Sequence, residues 1–170
     1  MLGLWQLFRF RPQGLEAFGT RMQDVLNSLA PLLAFPAVFT ALALLGGAGR
    51  QVVTELLSVV VVLLAQLVLS EALARRWRRE ASWPRYAVAF NWCQWLTPII
   101  FIIALVVTAR PGAAVITASS YMAVLQWFLA RHGLDLSRLR ALGFVLLTSI
   151  GSAALLEGPQ LLGRAMGVAP

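Results

Sequence analysis

The sequence has no lysine, one cysteine and one histidine, which leaves few groups from which to build a reactive site. Cys93 has no second cysteine, so the chain cannot form an internal disulfide. His132 would need further His, Cys or carboxylate ligands to hold a metal ion. Its position at a helix end favours a solvated cap instead. We therefore expect no metal site and no cofactor.

Charged residues are also scarce. They make up 12% of the 170 residues, while hydrophobic residues make up 59%. Soluble domains carry about 25% charged residues. A soluble fold of this length could not bury so much apolar surface, because a small domain keeps most of its residues in contact with water. The composition therefore predicts an integral membrane protein.

Catalytic motifs are missing as well. The sequence contains no HExxH, no GxSxG and no glycine-rich phosphate loop of the GxxxxGK[ST] type. It has no cluster of acidic residues suited to a divalent cation. It also shows no inverted repeat, and five spans cannot be halved, which disfavours a repeat-type secondary transporter. We therefore expect that the protein is not an enzyme.

What the sequence does contain is five long apolar segments. A helix needs about 20 apolar residues to cross a hydrocarbon core, and these segments meet or approach that length. They predict an all-α polytopic bundle, residues 25–163, of five transmembrane helices. The expected spans are 25–45, 52–74, 86–108, 113–130 and 139–157.

Helix boundaries and bends follow from local signals. Pro31 and Pro36 should bend the first span, and Pro98 should kink the third. Ser82 is the expected N-cap of the third span. At the other loops, Gly133 should cap the fourth helix, Asp135 or Ser137 should start the fifth, and Glu157-Gly158-Pro159 should end it.

Residues 1–24 mix apolar side chains with Arg9, Arg11 and Arg21. The segment has neither the clean apolar core nor the cleavage site of a signal peptide. One interpretation is an amphipathic helix at the cytoplasmic interface, interrupted near Pro12. The other is an ordinary basic flank of the first span.

The arginines alternate between the two sides of the predicted bundle. Eleven lie in the N-terminal segment and in the loops after spans two and four, whereas the other side has only Arg50, Arg110 and Arg164. By the positive-inside rule, the N-terminus is cytoplasmic and the C-terminus lies outside. The sequence pI of about 11.4 then reflects a membrane surface rather than nucleic acid. The residues expected to contact anionic lipid are Arg75, Arg76, Arg78, Arg79 and Arg85.

Polar side chains in the third span are the sharpest local feature. On a continuous helix, Asn91, Gln94 and Pro98 would share one face, with Thr97 nearby. Amides in hydrocarbon must find partners, so this face should point into the bundle. Interhelical hydrogen bonds to Gln66 or Gln126 are the favoured interpretation, because polar pairs commonly join transmembrane helices. A polar pocket is the alternative.

The stretch from Arg85 to Pro98, an aromatic-rich span that follows a basic loop and contains a proline, resembles the Yip family. Members are small membrane proteins with five closely spaced helices, and the bacterial relatives are mostly of unknown role. By layout, the resemblance extends over residues 15–160. The acidic-aromatic-glycine-proline signature of eukaryotic members is absent. The resemblance implies a non-enzymatic membrane organiser, and it carries over no functional residue.

The expected function is therefore a structural, organising or accessory component of a bacterial inner membrane or of a complex in it. The arginine-only basic set, with abundant Ala, Leu and Gly, is typical of a GC-rich bacterial genome. The expected partners are the bilayer, its anionic lipids and a second copy or another membrane protein. The alternative is a small permease or channel subunit with a polar passage at Asn91 and Gln94.

Overall fold

The computed structural model describes residues 2–47, 49 and 51–165, and every regular element in that part of the chain is helical. Two short elements come first, helix α1 (Leu2–Phe8) and a 3-10 helix (Pro12–Ala17). The long helices that follow are α2 (Met22–Leu45), α3 (Gln51–Arg76), α4 (Trp83–Cys93), α5 (Leu96–Thr108), α6 (Pro111–Gly133) and α7 (Arg138–Ala165).

Five helical segments in the described part of the chain are long and apolar enough to cross a membrane. They are α2, α3, the stretch Glu80–Thr108 that contains α4 and α5, α6, and Arg138–Leu155 of α7. The predicted all-α fold with five spans is thereby confirmed. The loop position Arg50 and the terminal Pro170, which bear on the predicted orientation, lie outside the described residues.

The third span breaks earlier than predicted. The sequence places the kink at Pro98, but α4 ends at Cys93 and α5 begins at Leu96, with Pro98 inside the first turn of α5. The reason is that proline has no N–H to donate to the carbonyl four residues earlier, which here belongs to Gln94. That carbonyl accepts from the Thr97 N–H instead, at 3.1 Å. The effect of the proline therefore appears one turn before it.

The end of α6 corrects the prediction that Gly133 is a cap. Gly133 is the last helical residue, and the left-handed position falls on Asp135, with a φ of 51°. The Leu136 N–H donates to the Arg131 carbonyl at 3.1 Å, as in a Schellman motif. A Cβ on Gly133 would make an ordinary van der Waals contact, 3.4 Å from the Cβ of Tyr86.

The loop after α3 is shorter than expected. Arg75 and Arg76 belong to the helix rather than to the loop, and Arg78 takes the left-handed conformation with a φ of 58°. The Arg79 guanidinium contacts the Asp135 carboxylate at 3.1 Å. This ion pair joins the loop that follows α3 to the loop that follows α6. Glu71 pairs with Arg75 one turn along α3.

The structure confirms the predicted start of helix α7 but not its predicted end. Ser137 precedes its first residue, and its hydroxyl accepts from the Arg140 N–H at 3.4 Å, so the predicted start is confirmed. The predicted end at residues 157–159 is wrong, because the helix continues to Ala165. A proline inside a membrane helix removes one backbone hydrogen bond without ending the helix, since neighbouring groups can satisfy the freed carbonyl.

The N-terminal hairpin, residues 2–17, packs against α4 and α6. Its Leu7 and Leu15 belong to the hydrophobic core, and the Tyr121 hydroxyl donates to the Phe8 carbonyl at 2.7 Å. The chain reverses between Phe8 and Pro12, close to the predicted interruption. Leu7 and Leu15 of the segment are thus buried against the bundle, whereas Trp5 and Phe10 are exposed.

The buried side chains lie mainly in one half of the bundle. In α3 the buried residues are Leu67, Ser70 and Ala74, all in the second half of the helix. Buried residues of α4, of the end of α6 and of the start of α7 complete this core. The other half of α3 is exposed, and only 6% of the apolar window of that helix is buried. Clefts therefore open beside the first half of α3.

Candidate functional site

The structure separates the polar residues that the sequence analysis grouped together. Asn91 is fully buried, and its Nδ2 donates to the Ser28 Oγ on α2 at 2.8 Å. Ser28 in turn donates to the Val25 carbonyl at 2.7 Å. We expected Asn91 to bond to Gln66 or Gln126. Its partner is Ser28 instead, because α4 presents that face to α2. Asn91 therefore joins α4 to α2.

Gln126 makes a second helix–helix contact. It is 5% exposed, and its Nε2 donates to the Thr148 Oγ1 on α7 at 3.0 Å. Thr148 is fully buried, and its hydroxyl lies 2.9 Å from the Phe144 carbonyl in its own helix. The sequence analysis missed both Ser28 and Thr148. A single hydroxyl in an apolar helix usually bonds its own backbone, so neither residue gives a distinctive sequence signal.

A small polar cavity, here called the amide cleft, lies between α3, α6, α7 and the break between α4 and α5. Its volume is about 180 Å³. Ser119 and Ser149, on α6 and α7, are exposed and lie at its rim. Its polar lining consists of neutral side chains, namely Gln66, Gln94, Gln126, Ser119 and Ser149. The amide cleft therefore brings together three of the five predicted site residues.

A larger cavity, here called the carboxylate cleft, lies between α2, α3 and the same helix break. Its volume is about 410 Å³, and its walls are mostly apolar. Glu55 and Thr40 line it on opposite helices, and Gln94 and Thr97 line it at the break. The Thr97 Oγ1 lies 3.5 Å from the Gln94 Oε1.

Gln94 lines both clefts. Two groups that share a helix face, as the sequence predicted for Asn91 and Gln94, would point the same way. The helix ends after Cys93, so Gln94 lies in the break while Asn91 stays in the packed part of α4. Gln94 thus forms part of the wall between a neutral polar cavity and an apolar one.

The arginines expected to contact lipid differ in their surroundings. Arg75 is paired with Glu71 and Arg79 with Asp135. Arg76, Arg78 and Arg85 are exposed, and none of them forms an ion pair with a described residue. Their charges are therefore the ones available to an anionic surface.

Among residues 2–47, 49 and 51–165, no group of three or more His, Cys, Asp or Glu side chains could hold a metal ion. Cys93 is buried as a free thiol. His132 is exposed, and its ring packs against Phe128 with a centroid distance of 4.7 Å.

No protein-family model matches this chain, and no curated protein or solved structure matches it. The resemblance to the Yip family therefore stays a hypothesis. Since no relative assigns a role to any residue, the two clefts and the helix surfaces beside them are the basis for a functional proposal.

Proposed function

We propose that the protein is a non-enzymatic accessory component of a bacterial inner membrane, and that it holds a partner membrane protein at the amide cleft. The observation that carries this proposal is that the cleft opens on the surface of the bundle at Ser119 and Ser149. Hydrocarbon cannot satisfy amide and hydroxyl groups, so lipid is a poor occupant. A transmembrane helix with a polar residue at this depth would satisfy them.

The surfaces around the amide cleft suit a close helix partner. On α6, Ser119 and Ala123 are small, exposed and one turn apart, which lets two backbones approach. On α3, Gln66 lines the cleft beside a helix half that has few contacts within the chain. Membrane helices associate through packing and polar contacts rather than through a hydrophobic driving force. Small residues next to an amide provide both close packing and a polar contact.

Changing Gln66 to Leu should weaken partner binding, because it removes one amide from the amide cleft while keeping a side chain of similar length. Partner contact can be followed by a cysteine at Ser149, since the native Cys93 is buried. We expect Ser149→Cys to give a crosslink in native membranes whose yield falls several-fold with Gln66→Leu. The matched control is Asn91→Leu, which removes an amide inside the bundle and should leave the yield unchanged.

The mass of the crosslinked product identifies the partner class. A product of two copies of this chain indicates a homo-oligomer, and any other mass indicates a different membrane protein. A crosslink that is equally strong in the Gln66→Leu and unsubstituted proteins would contradict the proposal.

A permease or channel subunit is the second candidate, and one observation favours it. Gln94 lines both clefts, so movement of its side chain could connect them. In that case Gln94→Leu should abolish solute flux in reconstituted vesicles while crosslinking at residue 149 is retained. Flux without any dependence on Gln94 would argue against a passage at this position.

The proposed orientation has a cytoplasmic N-terminus and an outward C-terminus, based on the distribution of arginines. Reporter fusions at Arg50, Arg79, Pro111, Arg138 and Pro170 should therefore read out, in, out, in and out. A cytoplasmic reading at Pro170 would mean that α7 does not cross. In this orientation the exposed Arg76, Arg78 and Arg85 face the anionic leaflet, where each contributes about 1 kcal/mol to lipid attraction.

A further inference from the structure

The carboxylate cleft has the size and shape of a ligand site. Its volume of about 410 Å³ falls within the range of small-molecule pockets. Two long helices, α2 and α3, form its walls, and the break between α4 and α5 forms its inner end. Among the described residues, it shares Gln94 alone with the amide cleft, so a ligand here occupies a different site from the proposed partner contact.

The charge of the lining selects one sign of ligand. Glu55 is the charged residue that lines the cleft, and no arginine is among the described residues that line it. Glu55 is exposed, and it forms no ion pair with a described residue. An ionisable side chain within a membrane helix marks a functional site more often than an accident of sequence. A carboxylate in apolar surroundings favours a cation.

The other polar groups of the lining are neutral. They are Thr40 on α2, and Gln94 and Thr97 at the break between α4 and α5. Glu55 therefore supplies the charge of the cleft among the described residues that line it.

The apolar part of the lining determines the rest of the ligand. Glu55 and Leu63 both line the cleft, and eight residues of helix separate them by about 12 Å. Aromatic side chains, Phe39 and Trp95, lie on other walls. Aromatic faces attract cations, particularly where water is excluded. An elongated apolar body with a positive group at the Glu55 end matches this distribution.

We propose that the carboxylate cleft binds a lipophilic monovalent cation, with its charge at Glu55 and its apolar body between α2, α3 and α5. The cation is a small molecule that enters from the membrane, such as a quaternary ammonium or phosphonium compound. A phospholipid amine has the same charge but also carries a phosphate, and the cleft offers that phosphate no cationic side chain among its described lining residues.

The experiment uses the full chain in phosphatidylcholine nanodiscs. The probe is radiolabelled decyltrimethylammonium, a quaternary ammonium compound with one extended alkyl chain. Glu55→Gln should weaken binding at least ten-fold, and Glu55→Asp should restore part of the affinity. Glu80→Gln is the matched control, since Glu80 is an exposed carboxylate in the short 3-10 helix after α3 and does not line the cleft. Val59→Trp, which fills the cleft without changing charge, should also abolish binding.

Each outcome decides the proposal. Equal affinities of the unsubstituted and Glu55→Gln proteins would overturn it, as would full binding by Val59→Trp. Loss of probe binding when phosphatidylethanolamine replaces phosphatidylcholine would assign the cleft to a lipid amine instead. Thermal unfolding of the Glu55→Gln and Val59→Trp variants should match the unsubstituted protein, which separates loss of the site from loss of the fold.

Discussion

Phe144→Ala should lower the free energy of unfolding by about 3–5 kcal/mol, the usual cost of truncating a buried aromatic residue. Phe144 is fully buried at the start of α7. Its ring meets the ring of Tyr86 edge-on, with centroids 5.1 Å apart, and lies 6.2 Å from the ring of Trp77. These contacts join α7 to α4 and to the end of α3. Alanine would leave a cavity at the point where three segments meet.

The measurement is unfolding in detergent by increasing dodecyl sulfate, followed by tryptophan fluorescence. The matched control is Leu147→Ala, three residues along the same helix, because Leu147 is 51% exposed. A lipid-facing or detergent-facing truncation leaves no cavity, so its cost should stay below about 1 kcal/mol. Similar losses for the two variants would mean that this half of the bundle is not the packed core.

Gly14→Val should release the N-terminal hairpin from the bundle. A Cβ on Gly14 would lie 2.6 Å from the carbonyl oxygen of Gly3 and 3.0 Å from the Leu7 Cγ. The first neighbour is backbone, which cannot rotate away as a side chain does. Overpacking of this kind costs about 1–3 kcal/mol. Such a cost is enough to undock a short segment whose main anchors are Leu7 and Leu15.

Limited trypsin digestion measures this release. Cleavage after Arg9 should become about ten-fold faster or more, because proteolysis follows the population of the opened segment. Gly112→Val is the matched control, since a Cβ at Gly112 meets nothing within 4 Å. Unchanged cleavage of the Gly14→Val protein would show that the contact between Gly3 and Gly14 does not hold the hairpin.

The helix ends show how far sequence signals extend. Ser137 begins α7 as predicted, because a hydroxyl at that position satisfies a free N–H whatever the rest of the fold does. Gly133 was wrongly expected to cap α6, because it is the last helical residue and the left-handed position falls two residues later. A glycine near the end of a helix does not by itself show at which residue the helix ends. Asp135 takes the left-handed conformation instead, and its carboxylate pairs with Arg79.

The polar residues show a similar limit. The sequence identified the amides as groups that must find partners, and two of them, Asn91 and Gln126, do bond across helices. It paired them wrongly, because a face on one helix does not say which helix packs against it. Ser28 and Thr148 became partners only when α2 met α4 and α6 met α7. Glu55 gained significance in the same way, by lining a cleft with Pro36 and Gln94.

Composition by itself determined that this chain forms helices long and apolar enough to cross a membrane, five of them in the described residues. Five apolar segments have few alternatives, because every backbone group in hydrocarbon must be bonded within its own segment. Helix order and span number therefore follow from local information. The location of the core and of the clefts was decided by tertiary packing, because it depends on which helix faces meet and where they separate. Gln94 illustrates the difference, since a proline four residues later places it in the break where both clefts meet.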